Sequence, residues 1–228
     1  MKIPFNPFID RSFRGNYFCL IPNSNLAFVV ISKIGNTFLK KVAFYSKTGK
    51  WIQSSHDTHA LIGFNESSEV LIPIDKISDY VQEQGKLIKF AVWRDPVERL
   101  ISVYKYFCLA KTYRPYFHAV GLYDDTSFEW FMRFVEFELS KKDPQHQDPH
   151  IRRQSDHYEI NDLDYIVHID ELFTFLKTKH IEFKHEYSNK TCVEFDFDFE
   201  LYECQIKDLY YDDYQLSVNW RSTVQKSK

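Results

Sequence analysis

The chain has 228 residues, of which 44% are hydrophobic and 27% are charged. These proportions are ordinary for a globular protein, and they exclude a disordered or low-complexity chain. The formal net charge of −3 creates no global field that would attract a nucleic acid, so no nucleic-acid partner is expected. Four cysteines without a C-x-x-C pair indicate buried thiols and not a disulfide framework.

The first predicted element is a buried parallel strand over residues 26–32 (LAFVVIS), a continuous apolar run with β-branched side chains. A turn containing Gly35 follows, and residues 36–44 continue as a helix. Such a turn presents backbone N–H groups at a helix N-terminus, where an anion is favoured. Lys33 adds a positive charge and Thr37 a hydroxyl group. The spacing G-x-x-x-x-G-K-[ST] is absent, so an ordinary kinase or NTPase phosphate loop is not expected.

The second informative segment is a predicted central strand over residues 87–93, which ends immediately before Arg94. Asp95 suits the N-cap of the following helix, and Pro96 suits its first helical position. Arg94 directly follows the strand, and Ser102 lies outside the apolar face of the next helix. Together these two side chains could hold a phosphate. On this segment alone, a strand–turn–helix with a surface arginine is an equal alternative.

The remaining elements continue the alternation of strands and helices, which predicts an α/β fold with a mainly parallel central sheet flanked by helices. No repeat or linker interrupts it, so residues 1–228 are predicted to form a single domain. In chain order we predict a helical segment at 75–81, a helix at 126–141 capped by Thr126 and Glu129, a polar loop at 142–156, a strand at 164–169, a helix at 170–179, and a last substantial helix at 199–209.

Residues 32–38 (SKIGNTF) and 94–104 (RDPVERLISVY) together resemble two signatures of the sulfotransferases that use 3′-phosphoadenosine 5′-phosphosulfate (PAPS). The similarity is strongest to the carbohydrate-modifying group with heparan and chondroitin members, sulfotransferase family 2. The first segment resembles P-K-x-G-x-T-x-[LF], with Ser32 where the family usually has proline. The second matches R-D-P-x-x-R-x-x-S-x-Y at every fixed position. Weaker matches near residues 164–172 and 209–214 extend the resemblance over a core of about 26–216.

The resemblance implies a P-loop-like turn that holds the 5′-phosphosulfate through Lys33, Gly35, Asn36, Thr37 and Phe38. It also implies that Arg94 and Ser102 hold the 3′-phosphate. Lys33 would in addition neutralise the charge that builds on the leaving oxygen. Arg99 is left open between this phosphate site and a surface salt bridge. No catalytic metal is implied.

The catalytic base is expected to be a histidine, because its unperturbed pKa of about 6.5 lies near working pH. Relatives that modify uronic acid units carry H-x-H between the two signatures, where this chain has His56 and His59 with one extra residue between them. We favour His59, because the apolar residues after it resemble the segment that follows the base. The alternative is two solvated loop histidines.

A third candidate histidine, His150, lies in the segment 148–154 (DPHIRRQ). Several relatives carry a histidine near a P-Q pair at this place, where Arg152 or Arg153 could meet an anionic acceptor or the 3′-phosphate. The nearby His146 and His157 are expected in a solvated polar loop. The spacing of these histidines and Asp148 fits no structural zinc pattern, so no metal site is expected.

The predicted function is transfer of a sulfuryl group from PAPS to a carbohydrate hydroxyl, with adenosine 3′,5′-bisphosphate (PAP) as product. One alternative is a nucleotide-dependent, kinase-like phosphotransferase that needs Mg²⁺. The other is a non-catalytic domain that binds a nucleotide or a glycan. The partner is expected to be a glycan or another acceptor with a hydroxyl group, whose identity the sequence leaves open together with the oligomeric state.

The first 18 residues contain no uninterrupted apolar stretch that resembles a signal peptide or membrane anchor, so no transmembrane segment is expected. Many animal relatives are Golgi proteins with an N-terminal transmembrane helix. The absence of that helix favours a bacterial-like cytoplasmic enzyme. The Golgi lumen is the alternative if the chain is a trimmed form of a longer protein.

Overall fold

A computed structural model describes residues 16–53, 58, 69–110, 121–184 and 200–224. These residues form two compact units. The sheet unit comprises residues 16–53, 58, 69–94, 154–184 and 215–224, and the helical unit comprises residues 95–110, 121–153 and 200–214. The single domain predicted for residues 1–228 stays a prediction.

The sheet unit contains one five-stranded sheet, built from β1 Tyr17–Ile21, β2 Leu26–Val29, β3 Leu71–Pro73, β4 Ile88–Trp93 and β5 Tyr165–His168. Its strand order is β3-β1-β2-β4-β5. Strand β4 pairs in parallel with both β2 and β5. Strand β1 is antiparallel to both β2 and β3. The sheet is therefore mixed, with a parallel half and an antiparallel half.

The predicted α/β class is confirmed, and the predicted strands at 26–32, 87–93 and 164–169 correspond to β2, β4 and β5. The expectation of a mainly parallel sheet missed the antiparallel half. Strand β1 forms a hairpin with β2, and the turn between them is held by Ser24, whose hydroxyl donates to the Ile21 carbonyl at 2.6 Å. Short strands such as β1 and β3 carry too few residues for a periodic pattern, so their pairing partner defines them.

Seven α-helices lie within the described ranges: α1 Asn36–Thr48, α2 Ile77–Gln84, α3 Pro96–Tyr104, α4 Phe128–Leu139, α5 Leu172–Thr178, α6 Glu200–Leu209 and α7 Tyr211–Val224. The helices predicted at 36–44, 75–81, 126–141, 170–179 and 199–209 match five of them within a few residues. The helix predicted to begin at Pro96 matches α3. The prediction that 199–209 is the last substantial helix is wrong, because α7 follows it. None of the helices in these ranges is long and apolar enough to cross a membrane.

Local capping explains where the helices of the helical unit begin. The Asp95 carboxylate accepts hydrogen bonds from the amides of Val97 at 2.8 Å and Glu98 at 3.2 Å, so the predicted N-cap of α3 is confirmed. The N-cap of α4 lies one residue later than predicted. Ser127 accepts the cap hydrogen bond from the Trp130 amide, while Thr126 instead accepts one from the backbone of the preceding turn.

Aromatic side chains fill the interiors of both units. In the sheet unit, Phe90 of β4 packs against Phe28 of β2 and Phe175 of α5, with ring centroids 6.1 and 4.9 Å apart. In the helical unit, Tyr104 packs against Phe128 and Phe131, at 5.1 and 5.3 Å. These contacts fix α3 against α4 and hold β4 rigidly in the sheet, so the segments that carry the two signatures rest on well-packed elements.

Candidate functional site

The carboxyl ends of the parallel strands form one edge of the sheet. Strand β2 leads into the turn at residues 30–35, β4 ends at Trp93 directly before Arg94, and β5 ends at His168. Trp93 and His168 are paired in register, and their rings lie 5.3 Å apart. In open α/β sheets this edge is the usual place for ligands, because the loops that follow the strands converge there.

The turn after β2 has an unusual backbone. Lys33 and Gly35 both have left-handed conformations, with φ of 67° and 87°. A residue with a Cβ in this region is strained by roughly 1–2 kcal/mol, and such strain persists where the surrounding structure requires it. Gly35 suits its position because it has no Cβ. The turn therefore keeps a costly conformation at the lysine that the first signature singles out.

The turn leads directly into the N-terminus of α1. The first hydrogen bond within the helix runs from the Leu39 amide to the Gly35 carbonyl at 3.0 Å, so the helix itself supplies no acceptor to the amides of its first turn. Gly35 provides no side-chain cap, and no acidic residue lies in this turn. Asn36 is only 7% exposed, and its Oδ1 has no hydrogen-bond partner among the described residues. The positive end of the helix, the amides of its first turn and the absence of a carboxylate suit an anion, whereas the Asn36 Oδ1 is itself an acceptor and does not contribute to that preference.

Phe38 was predicted to bind the donor, but its side chain lies in the interior of the sheet unit. It is buried, and its ring packs edge-on against Phe173 and Phe183 with centroids 4.9 and 5.6 Å away. The residue can contribute to the turn only through its backbone amide. Its apolar side chain anchors the first turn of α1 to α5.

Arg94 joins the two signatures within the sheet unit. Its Nη1 donates a hydrogen bond to the Lys33 carbonyl at 3.1 Å. The backbone of Arg94 is held in turn by Gln154. The Gln154 Oε1 accepts from the Arg94 amide at 3.0 Å, and its Nε2 donates to the Arg94 carbonyl at 2.8 Å. Sequence reasoning missed Gln154, although it ends the segment 148–154 that was singled out for its histidine and arginines.

The other residues of the second signature lie on α3 in the helical unit. Ser102 is half-buried there. Arg99 is fully buried, and its Nη2 donates to the Pro149 carbonyl at 3.4 Å. The alternative of a surface salt bridge for Arg99 is therefore wrong, because α3 packs this side chain inward.

The closing element at residues 209–214 also supports the helical unit. The Tyr210 hydroxyl donates to the Ile151 carbonyl at 2.6 Å, and the Tyr214 hydroxyl donates to the Asp95 carboxylate at 3.1 Å. Burial raises the pKa of both phenols, so they remain neutral donors. This weakly matching segment therefore holds the N-cap of α3 and the turn that contains His150.

His150 is oriented by a buried carboxylate in the helical unit. Asp148 Oδ1 lies 2.9 Å from His150 Nδ1 and also accepts from the His150 amide at 2.9 Å. The imidazole stacks on Tyr106 with ring centroids 5.7 Å apart. The Asp148 amide donates to Glu138, whose pKa is raised by burial. A carboxylate bonded to Nδ1 fixes the ring and leaves Nε2 as the nitrogen that can take a proton.

The neighbouring arginines hold the backbone of the helical unit. Arg152 is buried and its Nη1 donates to the Pro144 carbonyl at 3.4 Å, while Arg153 Nε donates to the Leu209 carbonyl at 2.8 Å. Their contact with an acceptor stays a prediction. The solvated-loop interpretation is confirmed for His146, which is exposed, and is wrong for His157, which is buried.

Two of the predicted site residues, His56 and His59, lie outside the described residues. Thr58 between them is described and fully buried. Within the described part of the chain, no group of three or more histidine, cysteine, aspartate or glutamate side chains is placed to hold a metal ion.

Comparison with known proteins gives one match. A family model described as the sulfotransferase family matches residues 16–216, which include both signatures and the closing element. Comparison with curated proteins and with solved structures found no significant match.

Proposed function

Since this chain belongs to the sulfotransferase family, we propose that it transfers a sulfuryl group from PAPS to a hydroxyl group of a carbohydrate acceptor. Family membership supports sulfotransfer in general. The observation that carries the proposal for the donor is the hydrogen bond from Arg94 to the Lys33 carbonyl, which brings the two signatures together at one sheet edge. The carbohydrate acceptor is proposed from the resemblance to the heparan and chondroitin group.

The turn after β2 would hold the 5′-phosphosulfate. Its residues form a P-loop-like cradle in which the positive end of α1, the Lys33 ammonium group and the Thr37 hydroxyl favour a negatively charged group. The buried Asn36 side chain supplies a further polar group at the same helix N-terminus. The absence of acidic residues in the first turn of α1 supports this role, because a carboxylate there would repel the donor.

Arg94 and Ser102 would hold the 3′-phosphate. A guanidinium group carries five N–H donors in a planar fork, so Arg94 can bind the Lys33 carbonyl and a phosphate together. Arg94 would thus contact the 3′-phosphate directly and, through the Lys33 carbonyl, support the turn proposed to hold the 5′-phosphosulfate. The role of Ser102 rests on its place in the second signature.

The proposed reaction is an in-line displacement at sulfur. The acceptor oxygen forms a bond to sulfur while the bond from sulfur to the bridging oxygen of the 5′-phosphate breaks, and that electron pair leaves with PAP. Lys33 would stabilise the negative charge that develops on the bridging oxygen. A histidine would take the proton of the acceptor hydroxyl. His59 is our first candidate for this base and His56 the second, while the fixed imidazole of His150 supports it as a third.

The donor assignment is tested by calorimetric titration of the protein with PAP, AMP and Mg²⁺-ATP. We expect PAP to bind tightly, AMP to bind much more weakly because it lacks the 3′-phosphate, and Mg²⁺-ATP to show no advantage over AMP. Preference for Mg²⁺-ATP would instead support a kinase-like phosphotransferase. Tight binding of PAP without turnover of PAPS on any glycan tested would support a non-catalytic binding domain.

A further inference from the structure

We infer that Gln154 is a positioning residue of the donor site, which acts by fixing the backbone of Arg94. This inference rests on the proposed function, because it concerns the site proposed for PAPS. Gln154 belongs to neither signature, and its carboxamide is hydrogen-bonded to the backbone of Arg94. It is 0% exposed, so its carboxamide is shielded from water and its hydrogen bonds keep their full strength.

The carboxamide of Gln154 replaces a strand partner for Arg94. It accepts from the amide and donates to the carbonyl of the same residue, at 3.0 and 2.8 Å. Pairing of β4 with β5 ends at Trp93 and His168, one residue before Arg94. Two hydrogen bonds from one planar group fix both the position and the rotation of the Arg94 peptide units.

The position of the Arg94 backbone also affects Lys33, because the Arg94 guanidinium is hydrogen-bonded to the Lys33 carbonyl. Because the Arg94 side chain begins from a fixed backbone, its Nη1 can hold the carbonyl of a lysine in a strained conformation, with φ of 67°. Loss of Gln154 would leave the Arg94 amide and carbonyl without these bonds and let the side chain shift. A displacement of about 1 Å is enough to cost roughly a hundredfold in a reaction that depends on alignment.

Gln147 offers a matched control. It is also a buried glutamine, 2% exposed, and its Nε2 donates to a backbone carbonyl, that of Lys141, at 3.2 Å. It lies in the helical unit, and the carbonyl that its Nε2 binds belongs to neither signature. Replacement of either glutamine by leucine removes buried hydrogen bonds and keeps a similar volume, so both changes should lower stability by a comparable amount.

The test is a double-mutant cycle read by calorimetric titration with PAP. We expect Gln154→Leu to weaken PAP binding about tenfold or more, whereas Gln147→Leu leaves it unchanged. We further expect Gln154→Leu to add little loss to Arg94→Ala, because a residue that acts through Arg94 has no effect once the guanidinium is gone. Equal losses for the two glutamines, or additive losses with Arg94→Ala, would overturn the inference.

The outcomes separate the inference from the proposed function. If the wild-type protein does not bind PAP, the proposed function fails. If the wild-type protein binds PAP and the folded Gln154→Leu variant binds it equally well, only the inference fails. Thermal unfolding checks that each variant is folded. Should Gln154→Leu not fold, Gln154→Glu retains an acceptor for the Arg94 amide and removes the Nε2 donor. Unchanged PAP affinity in that variant would equally overturn the inference.

Discussion

Arg94 and Lys33 lie 61 residues apart in the chain and are joined by a hydrogen bond of 3.1 Å from the guanidinium to the Lys33 carbonyl. Arg94 directly follows β4, and Lys33 lies in the turn before α1. The bond means that the two signatures are not independent of each other. A change at Arg94 is expected to affect the conformation of the Lys33 turn as well as the proposed contact with the 3′-phosphate.

Lys33→Ala is expected to abolish most of the turnover while leaving much of the PAP affinity. In the proposed mechanism the ammonium group would stabilise charge that develops on the bridging oxygen, whereas the amides at the start of α1 and Arg94 would still hold the phosphates. We expect turnover to fall by roughly 100- to 1,000-fold. Sulfuryl transfer from labelled PAPS, with titration of PAP in parallel, measures both effects. The control is Lys47→Ala, which changes an exposed lysine in the last turn of α1. Retained turnover in Lys33→Ala would remove Lys33 from the mechanism.

Arg94→Ala is expected to weaken binding of PAP more than binding of AMP. Only PAP carries the 3′-phosphate that the guanidinium would contact. Loss of charge-assisted hydrogen bonds of this kind costs about 1.5–3 kcal/mol, which corresponds to a loss in affinity of about 10- to 150-fold. Calorimetric titration with the two nucleotides measures the difference. An exposed arginine paired within α4 provides the control variant Arg133→Ala, which should leave both affinities unchanged. An equal loss for PAP and AMP would contradict the 3′-phosphate role.

Two of the candidate bases, His59 and His150, are distinguished by the pH dependence of kcat in histidine variants, with His146 as a control. We expect His59→Ala to lower kcat by about a hundredfold with little change in PAP affinity, and to remove the rise in rate that deprotonation of the base produces. His146→Ala, at an exposed histidine, should leave the profile unchanged. Unchanged kcat in His59→Ala, with loss in both His150→Ala and Asp148→Asn, would transfer the role to His150, whose ring Asp148 orients.

The buried lysine of α1 predicts a pH dependence of stability. Burial lowers the pKa of Lys40 from 10.5 to about 8, although the nearby Cys19 opposes this shift slightly. Between these two values the unfolded state binds more protons than the folded state, so stability rises with pH across this interval. The destabilisation that Lys40 causes is largest and constant below pH 8, and it disappears as the pH rises to 10.5. At pH 7 the folded protein therefore carries a buried charge with an unfavourable energy.

Lys40→Met should consequently be more stable than the wild type at pH 7, by at most about 3 kcal/mol. Its advantage should shrink as the pH approaches 10.5. Urea unfolding of both proteins at several pH values measures the difference, in which contributions from the cysteines cancel. Lys47→Met, on the exposed face of the same helix, should show no such trend. A stability difference that is constant between pH 7 and 10.5 would contradict the prediction.

Features that depend on neighbouring residues in the chain could be predicted before the fold was known. Asp95 and Pro96 predict the start of α3 correctly, because an N-cap and a proline act within a few residues of the chain. Continuous apolar runs predict β2 and β4, because strands buried on both faces need apolar side chains throughout. The two signatures led to the sulfotransferase family, which the family match then showed.

The contacts between distant residues, and the burial of individual side chains, became known from the folded structure. Gln154 holds Arg94 from 60 positions away, and no local pattern marks a glutamine for that role. His157 has a polar sequence context like that of His146, yet packing covers one and leaves the other exposed. The sequence leaves Arg99 open between a phosphate site and a surface salt bridge, whereas the folded structure buries its side chain completely. In each case the burial or the hydrogen bonds of the side chain depend on residues that are distant in sequence. These contacts exist only once the chain has folded.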